Sequence, residues 1–138
     1  MQVAITGATG LIGTALAERL RATGHRVIGI TRRTPRAGEV QWSPAEGRID
    51  ATGLRNVDAV VNLAGEPISS GRWTPRVKAA IRDSRVDGTR LIARTIADMD
   101  DGPRTLVSVS GIDYYGDRGD EILTERSAPG TTFLAGVC

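Results

Sequence analysis

Lysine, histidine and cysteine, three residues from which enzymes often build bases and nucleophiles, are nearly absent from this sequence. Lysine occurs once, at Lys78, histidine once, at His25, and cysteine once, at Cys138. A lone cysteine cannot close an internal disulfide, and the first residues lack the charged segment and apolar run of a secretory signal, so a reducing cytoplasm is the expected compartment. Long hydrophobic runs are also missing: none approaches the ~20 residues a membrane-spanning helix needs, and no membrane partner is expected. His25 follows a helix-terminating glycine and reads as a surface turn residue rather than a base. No metal is expected either. Asp113, Asp117, Asp120 and Glu121 are grouped, but they alternate with Arg118 on a glycine-bearing loop without a histidine, the pattern of a solvated loop. The basic residues number 18 against 16 acidic and give a pI of about 9.2. They are nearly all arginine and are spread along the chain, so the basic stripe of a nucleic-acid-binding protein is absent.

What remains is a composition suited to one core. A chain of 138 residues, 40% of them apolar, fits a single domain. Gln2 to Thr6 alternates as a strand. A glycine-rich turn follows, and then Leu11 to Leu20 repeats its apolar residues at helical spacing. Gly24 stands where a left-handed residue would end that helix, and Arg26 to Thr31 supplies a second strand. These elements make a βαβ unit of about 30 residues, as in a first Rossmann crossover. Residues 32 to 53 read as loop around a brief strand, Glu39 to Trp42, with the intervening helix reduced or absent. Asp58 to Gly65 is an apolar run closed by glycine, as in a strand buried on both faces. Pro75 suits a first helical turn, and the apolar spacing from Val77 to Met99 predicts a long helix with a bend near Gly88. Arg104 to Ile112 is a further strand, followed by a polar loop and a segment that begins to look helical. Strands alternating with helices predict a doubly wound α/β domain with a mostly parallel sheet.

The turn between first strand and first helix carries the most chemistry. Gly7, Gly10 and Gly13 are spaced G-x-x-G-x-x-G: the first permits a tight turn, the second lets backbone approach phosphates, the third lets helix pack on strand. A pyrophosphate then sits on the free N–H groups of the helix start, near Thr9, Leu11 and Ile12. A Walker A loop is excluded, because Thr14 rather than lysine follows Gly13. Where an acidic residue would bind the ribose diol of NAD stand Thr31, Arg32 and Arg33, with Arg32 19 residues after Gly13. Arginine offers a fork of donors to a 2′-phosphate, which favours NADP over NAD. The alternative is two arginines opening a solvated loop.

Together with Asn62-Leu63-Ala64-Gly65, these residues resemble the short-chain dehydrogenase/reductase superfamily in its extended and atypical nucleoside-sugar epimerase branches. The finer resemblance is to the atypical subgroup of epimerase family proteins, through Asn62 to Ile68, Arg72-Trp73-Thr74, Lys78, Ile81, Ser84-Arg85, Ser108-Val109-Ser110, Tyr114 to Asp117 and Thr124-Glu125. It spans essentially the whole chain. By resemblance, Thr31 and Arg32 contact the adenosine ribose phosphate, Leu63 and Ala64 pass along the cofactor, and Arg85 faces it. The resemblance also implies a small-molecule substrate, a sugar nucleotide or a small carbonyl or hydroxyl compound.

In this superfamily a tyrosine with a lysine four residues later exchanges a proton with the substrate while a serine or threonine holds the hydroxyl. Ser110 is the serine candidate, at the end of the last strand, with Ser108 deeper on the same face. The tyrosine and lysine positions correspond to Phe133 and Val137, which move no proton at neutral pH. Tyr115, beside Tyr114, is a weaker acid candidate with no lysine in attendance. The alternative to enzymatic turnover is thus an NADP-binding sensor or regulatory module, or a fragment without function. Extended members of the superfamily continue into further strands and a substrate domain, so the chain reads as the cofactor-binding half. A sheet edge left open on it would favour a homodimer.

Overall fold

The structure, a computed structural model, describes residues 1–69 and 71–138. The chain divides into two compact units, Met1–Ser108 and Val109–Cys138.

The first unit holds the sheet. Its strands are β1 (Gln2–Thr6), β2 (Arg26–Thr31), β3 (Glu39–Ser43), β4 (Arg48–Ile49), β5 (Ala59–Asn62) and β6 (Thr105–Ser108), in the order β4-β3-β2-β1-β5-β6. All neighbours run parallel except β3 and β4. Helix α1 (Leu11–Ala22) and helix α2 (Pro75–Ala97) cover opposite faces. Period-2 alternation explains this directly. Val3 and Ile5 of β1 join Ala17, Leu16 and Leu20 of α1, whereas Ala4 joins Ile28, Ile30, Val60 and Ile92 on the α2 side. The expected doubly wound, mostly parallel architecture is thus observed. No helix among the described residues is long and apolar enough to cross a membrane.

The local signals work as anticipated at both helices. After α1, the Gly24 amide donates to the Arg21 carbonyl at 3.0 Å and the His25 amide to the Leu20 carbonyl at 2.9 Å, the paired bonds of a Schellman cap. Thr74 caps α2, its Oγ1 accepting from the Val77 amide at 3.3 Å, and Pro75 sits where no amide hydrogen is needed. The helix runs unbroken through Gly88. The glycine makes room there for Trp42, since a Cβ would lie 3.4 Å from its ring.

Two elements depart from expectation. The strand foreseen over Arg104 to Ile112 ends at Ser108, because Ser108 is the residue opposite Asn62, the last of β5. Beyond it the neighbouring chain turns away and offers no ladder. The segment expected to turn helical forms hydrogen-bonded turns, Gly136 to Thr132 and Val137 to Leu134.

The reduced connection between β2 and β3 does occur, and its geometry matters. Residues 32–38 join two parallel strands without a helix, which is possible because β3 overlaps β2 at three positions only, from Gly29 opposite Glu39 to Thr31 opposite Gln41. The return path is short. Trp42 and Ser43 consequently extend past the carboxyl end of β2, the edge where open α/β sheets bind ligands.

In the second unit, a 3-10 turn at Ile112–Tyr115 sets the rings of Tyr114 and Tyr115 edge to face at 5.1 Å. The Gly130 amide donates to the Tyr114 carbonyl at 2.8 Å, and Arg118 pairs with Glu121 at 2.8 Å.

Candidate functional site

A groove of about 640 Å³ runs along the carboxyl edge of the sheet between the glycine turn, the end of β2 and the residues after β5. Its volume is in the range of small-molecule sites. One wall is backbone. Gly7 adopts φ +65°, and the Gly10 amide closes the turn on the Gly7 carbonyl at 2.9 Å. A Cβ on Gly13 would stand 2.2 Å from that carbonyl oxygen, so only glycine lets α1 start this close to β1. Gly10 is the N-cap of α1 and brings no capping side chain. The first amides of the helix therefore remain available for an anion. Thr9 is exposed beside them. Leu11 and Ile12, 92% and 60% exposed, stand at the helix start as apolar groups that a bound molecule could cover.

The floor is held by a buried polar knot that the sequence reading did not single out. The Thr6 hydroxyl donates to Asn62 Oδ1 at 2.7 Å and accepts the amides of Leu63 and Ala64, each at 3.0 Å. That uses its one hydrogen and both lone pairs. Asn62 Nδ2 donates to Thr89 Oγ1 at 3.0 Å and Ser108 Oγ at 3.3 Å. The ends of β1, β5 and β6 and the middle of α2 are thereby tied together. Leu63 and Ala64, foreseen beside the cofactor, line the groove in positions set by this knot.

The opposite wall is made of side chains. Thr31, Arg32 and Arg33 reach the groove from the end of β2, and Glu39 and Trp42 from β3. Arg33 Nη2 donates to Glu39 Oε1 at 2.7 Å, whereas Arg32 has no hydrogen bond or ion pair among the described residues. The Glu39 carboxyl also accepts the Arg36 amide at 2.8 Å. That amide, aided by the Arg33 charge, holds its pKa below the ordinary carboxylate value. Arg32 also borders a second cavity of about 300 Å³ between Trp42 to Ala45, Gly65 to Glu66 and the Ala80 to Ser84 face of α2.

Arg85, which the resemblance implied would face the cofactor, lies beside the residues that follow β5. Its Nη1 donates to the carbonyls of Glu66 at 2.9 Å and Ile81 at 3.2 Å. The Glu66 amide donates in turn to Ser84 Oγ at 2.9 Å. The pair Ser84-Arg85 thus holds both backbone polar groups of Glu66, after β5, and the guanidinium lies against Gly65.

With the geometry established, comparison with known proteins is informative. A model of the NAD dependent epimerase/dehydratase family matches residues 3–133. The chain belongs to this family. The Mycobacterium tuberculosis epimerase family protein MT2273 is 43% identical over 137 residues, covering 99% of the chain and 45% of the relative. The structure of a nucleoside-diphosphate sugar epimerase from Corynebacterium glutamicum superposes with a TM-score of 0.84 at 41% identity, over all of this chain and 28% of that one. Human epimerase family protein SDR39U1, solved with NADPH, superposes with a TM-score of 0.85 at 32% identity, over 99% of this chain and 46% of that one. The epimerase-family chain therefore spans less than half the length of each.

The residues considered for proton transfer in this epimerase-family chain fall in the second unit. Ser110 is exposed there, two residues beyond the end of β6, and Tyr115 is half-buried against Tyr114. Three residues of the groove went unrecognised in the sequence. Thr6 ended a predicted strand and Asn62 opened the Asn62-Leu63-Ala64-Gly65 motif without a role of its own, although a threonine and an asparagine ending adjacent buried strands are a legible sign of a shared hydrogen bond. Glu39 was read only as part of a brief strand, and its spacing six residues after Arg33 carries no signal at all.

Proposed function

We propose that this chain binds NADP(H) in the groove, with the pyrophosphate on the glycine turn and the 2′-phosphate on Arg32. The observation that carries this reading is Arg32, a cation with no hydrogen bond or ion pair among the described residues, on the wall facing an uncapped helix N-terminus. An unpaired guanidinium offers a phosphate charge-assisted, bidentate hydrogen bonds. The residues suit the group: a backbone cradle that any Cβ at position 13 would fill, free amides, and apolar Leu11 and Ile12 beside them. The cavity beside Trp42 and Ala45 suits the adenine ring. The NADPH in the human relative supports the same choice of cofactor.

When bound, the nicotinamide would supply hydride transfer. The whole protein is then an epimerase- or reductase-type enzyme for a sugar nucleotide or a small carbonyl or hydroxyl substrate, a class supported by the Corynebacterium epimerase. Ser110 would hold the substrate hydroxyl, with Tyr115 as a secondary acid. A second reading, binding without turnover, is favoured by one observation: Phe133 and Val137 stand at the positions matched to the proton-transfer pair, and neither carries a titratable group.

Titration calorimetry with NADPH and NADH tests the first reading. Tighter binding of NADPH is expected. No binding of either by a folded sample refutes cofactor binding, and tighter NADH refutes the role of Arg32. Hydride exchange with candidate carbonyls, abolished by Ser110→Ala, distinguishes the enzyme from the sensor.

A further inference from the structure

Arg32 and Arg33 are neighbours with equal charge, yet the fold uses them differently. Arg33 is bound on the protein side, to Glu39 Oε1 at 2.7 Å and to the Thr34 carbonyl at 3.4 Å. Glu39 is the first residue of β3, in register with Gly29 of β2, and its side chain is only 21% exposed. Its second oxygen accepts the Arg36 amide, and its own amide donates to the Arg36 carbonyl at 3.0 Å. The carboxylate therefore occupies a fixed place on the same groove wall as Arg32. It arrives there from β3, through the short helix-free connection, and not from the end of β2 where such a group is ordinarily sought.

Building on the cofactor reading above, we propose that Glu39 determines how strongly the groove prefers NADPH to NADH. It does so by two effects of the same sign. The carboxylate holds Arg33 in an ion pair and so withholds it from a 2′-phosphate. It also sets a negative charge on the wall that a phosphate must approach, where like charges a few ångströms apart repel. Arg32 is left as the single reader of the phosphate. A carboxylate in the same place is tolerant of a ribose diol, so NADH is not excluded.

The test is a double-mutant cycle on the full chain. NADPH and NADH are titrated against wild type, Glu39→Gln, Arg33→Gln and the double variant. Glutamine at position 39 still accepts the Arg36 amide, which preserves the loop. Glu39→Gln should tighten NADPH about five- to tenfold, the scale of one added charged hydrogen bond, and leave NADH within about twofold. The double variant, neutral at both positions like the wild-type pair taken together, should return NADPH to within about twofold of wild type. Weaker or unchanged NADPH binding by Glu39→Gln overturns the proposal, because Glu39 would then present Arg33 to the phosphate or be irrelevant to it. If Glu39→Gln fails to fold, the double variant decides: a tenfold loss of NADPH affinity shows that Arg33 itself reads the phosphate. Failure of wild type to bind either nucleotide would instead sink the cofactor reading on which this rests.

Discussion

The two walls of the groove are built by different means. The glycine side is backbone: a left-handed Gly7, a helix start without a side-chain cap, and a Gly13 with no room for a methyl group. The β2 and β3 side is built from long charged side chains, Arg33 held by Glu39 and Arg32 with no hydrogen bond or ion pair among the described residues. Backbone recognition is rigid and indifferent to what lies beyond the pyrophosphate. Side-chain recognition is adjustable and discriminating. The comparison teaches that one wall should set whether a dinucleotide binds and the other which dinucleotide it is.

The largest effect should come from breaking the backbone wall. Gly13→Ala places a Cβ against the Gly7 carbonyl and the Ala8 Cα, so α1 must move off β1 at a cost of about 3 kcal/mol. A melting temperature lower by roughly 10 °C is expected, with both NADPH and NADH binding lost in calorimetry. A variant that lost only NADPH would contradict the division between the walls.

Next in size is the floor beneath both walls. Thr6→Val deprives the Leu63 and Ala64 amides of their acceptor and Asn62 of its donor, a loss of about 2 kcal/mol for buried groups left unpaired. Thermal melts should show the loss, while Thr6→Ser retains the hydroxyl and most of the stability. Nucleotide titrations should weaken equally for both cofactors, because the knot positions Leu63 and Ala64 without touching the charged wall.

The smallest effect is also the most selective. Arg32→Gln should weaken NADPH about tenfold, equivalent to about 1.4 kcal/mol, and leave NADH and the melting temperature nearly unchanged. Equal weakening of the two cofactors would move the phosphate-reading role away from Arg32.

Much of this was visible in the sequence, for reasons particular to each element. The strand, turn and helix from Gln2 to Thr23 are coded locally, by apolar period and by glycines at fixed offsets, and they stand where expected. The long helix from Pro75 was equally legible, because Thr74 and Pro75 form a local cap. The end of β6 was not, because a strand stops where its neighbour stops, and Asn62 is 46 residues away from Ser108. The backbone partner of Arg85 was not legible either, for a related reason. Helical spacing shows which face a residue occupies, but not that a loop carbonyl from Glu66 will lie under its guanidinium.

The amino-acid order by itself determined the parallel α/β fold, the glycine-rich turn before α1 and the presence of arginine at the end of β2. These depend on contacts between residues close in sequence or on periodicity along one element. Only the tertiary structure decided which arginine lacks an ion pair among the described residues, that Glu39 shares the wall with it, and that Trp42 passes the end of β2 to border the groove. Those outcomes depend on the three-position overlap of β2 and β3. A register between strands is chosen by the packing of the whole sheet, so no short stretch of sequence contains it.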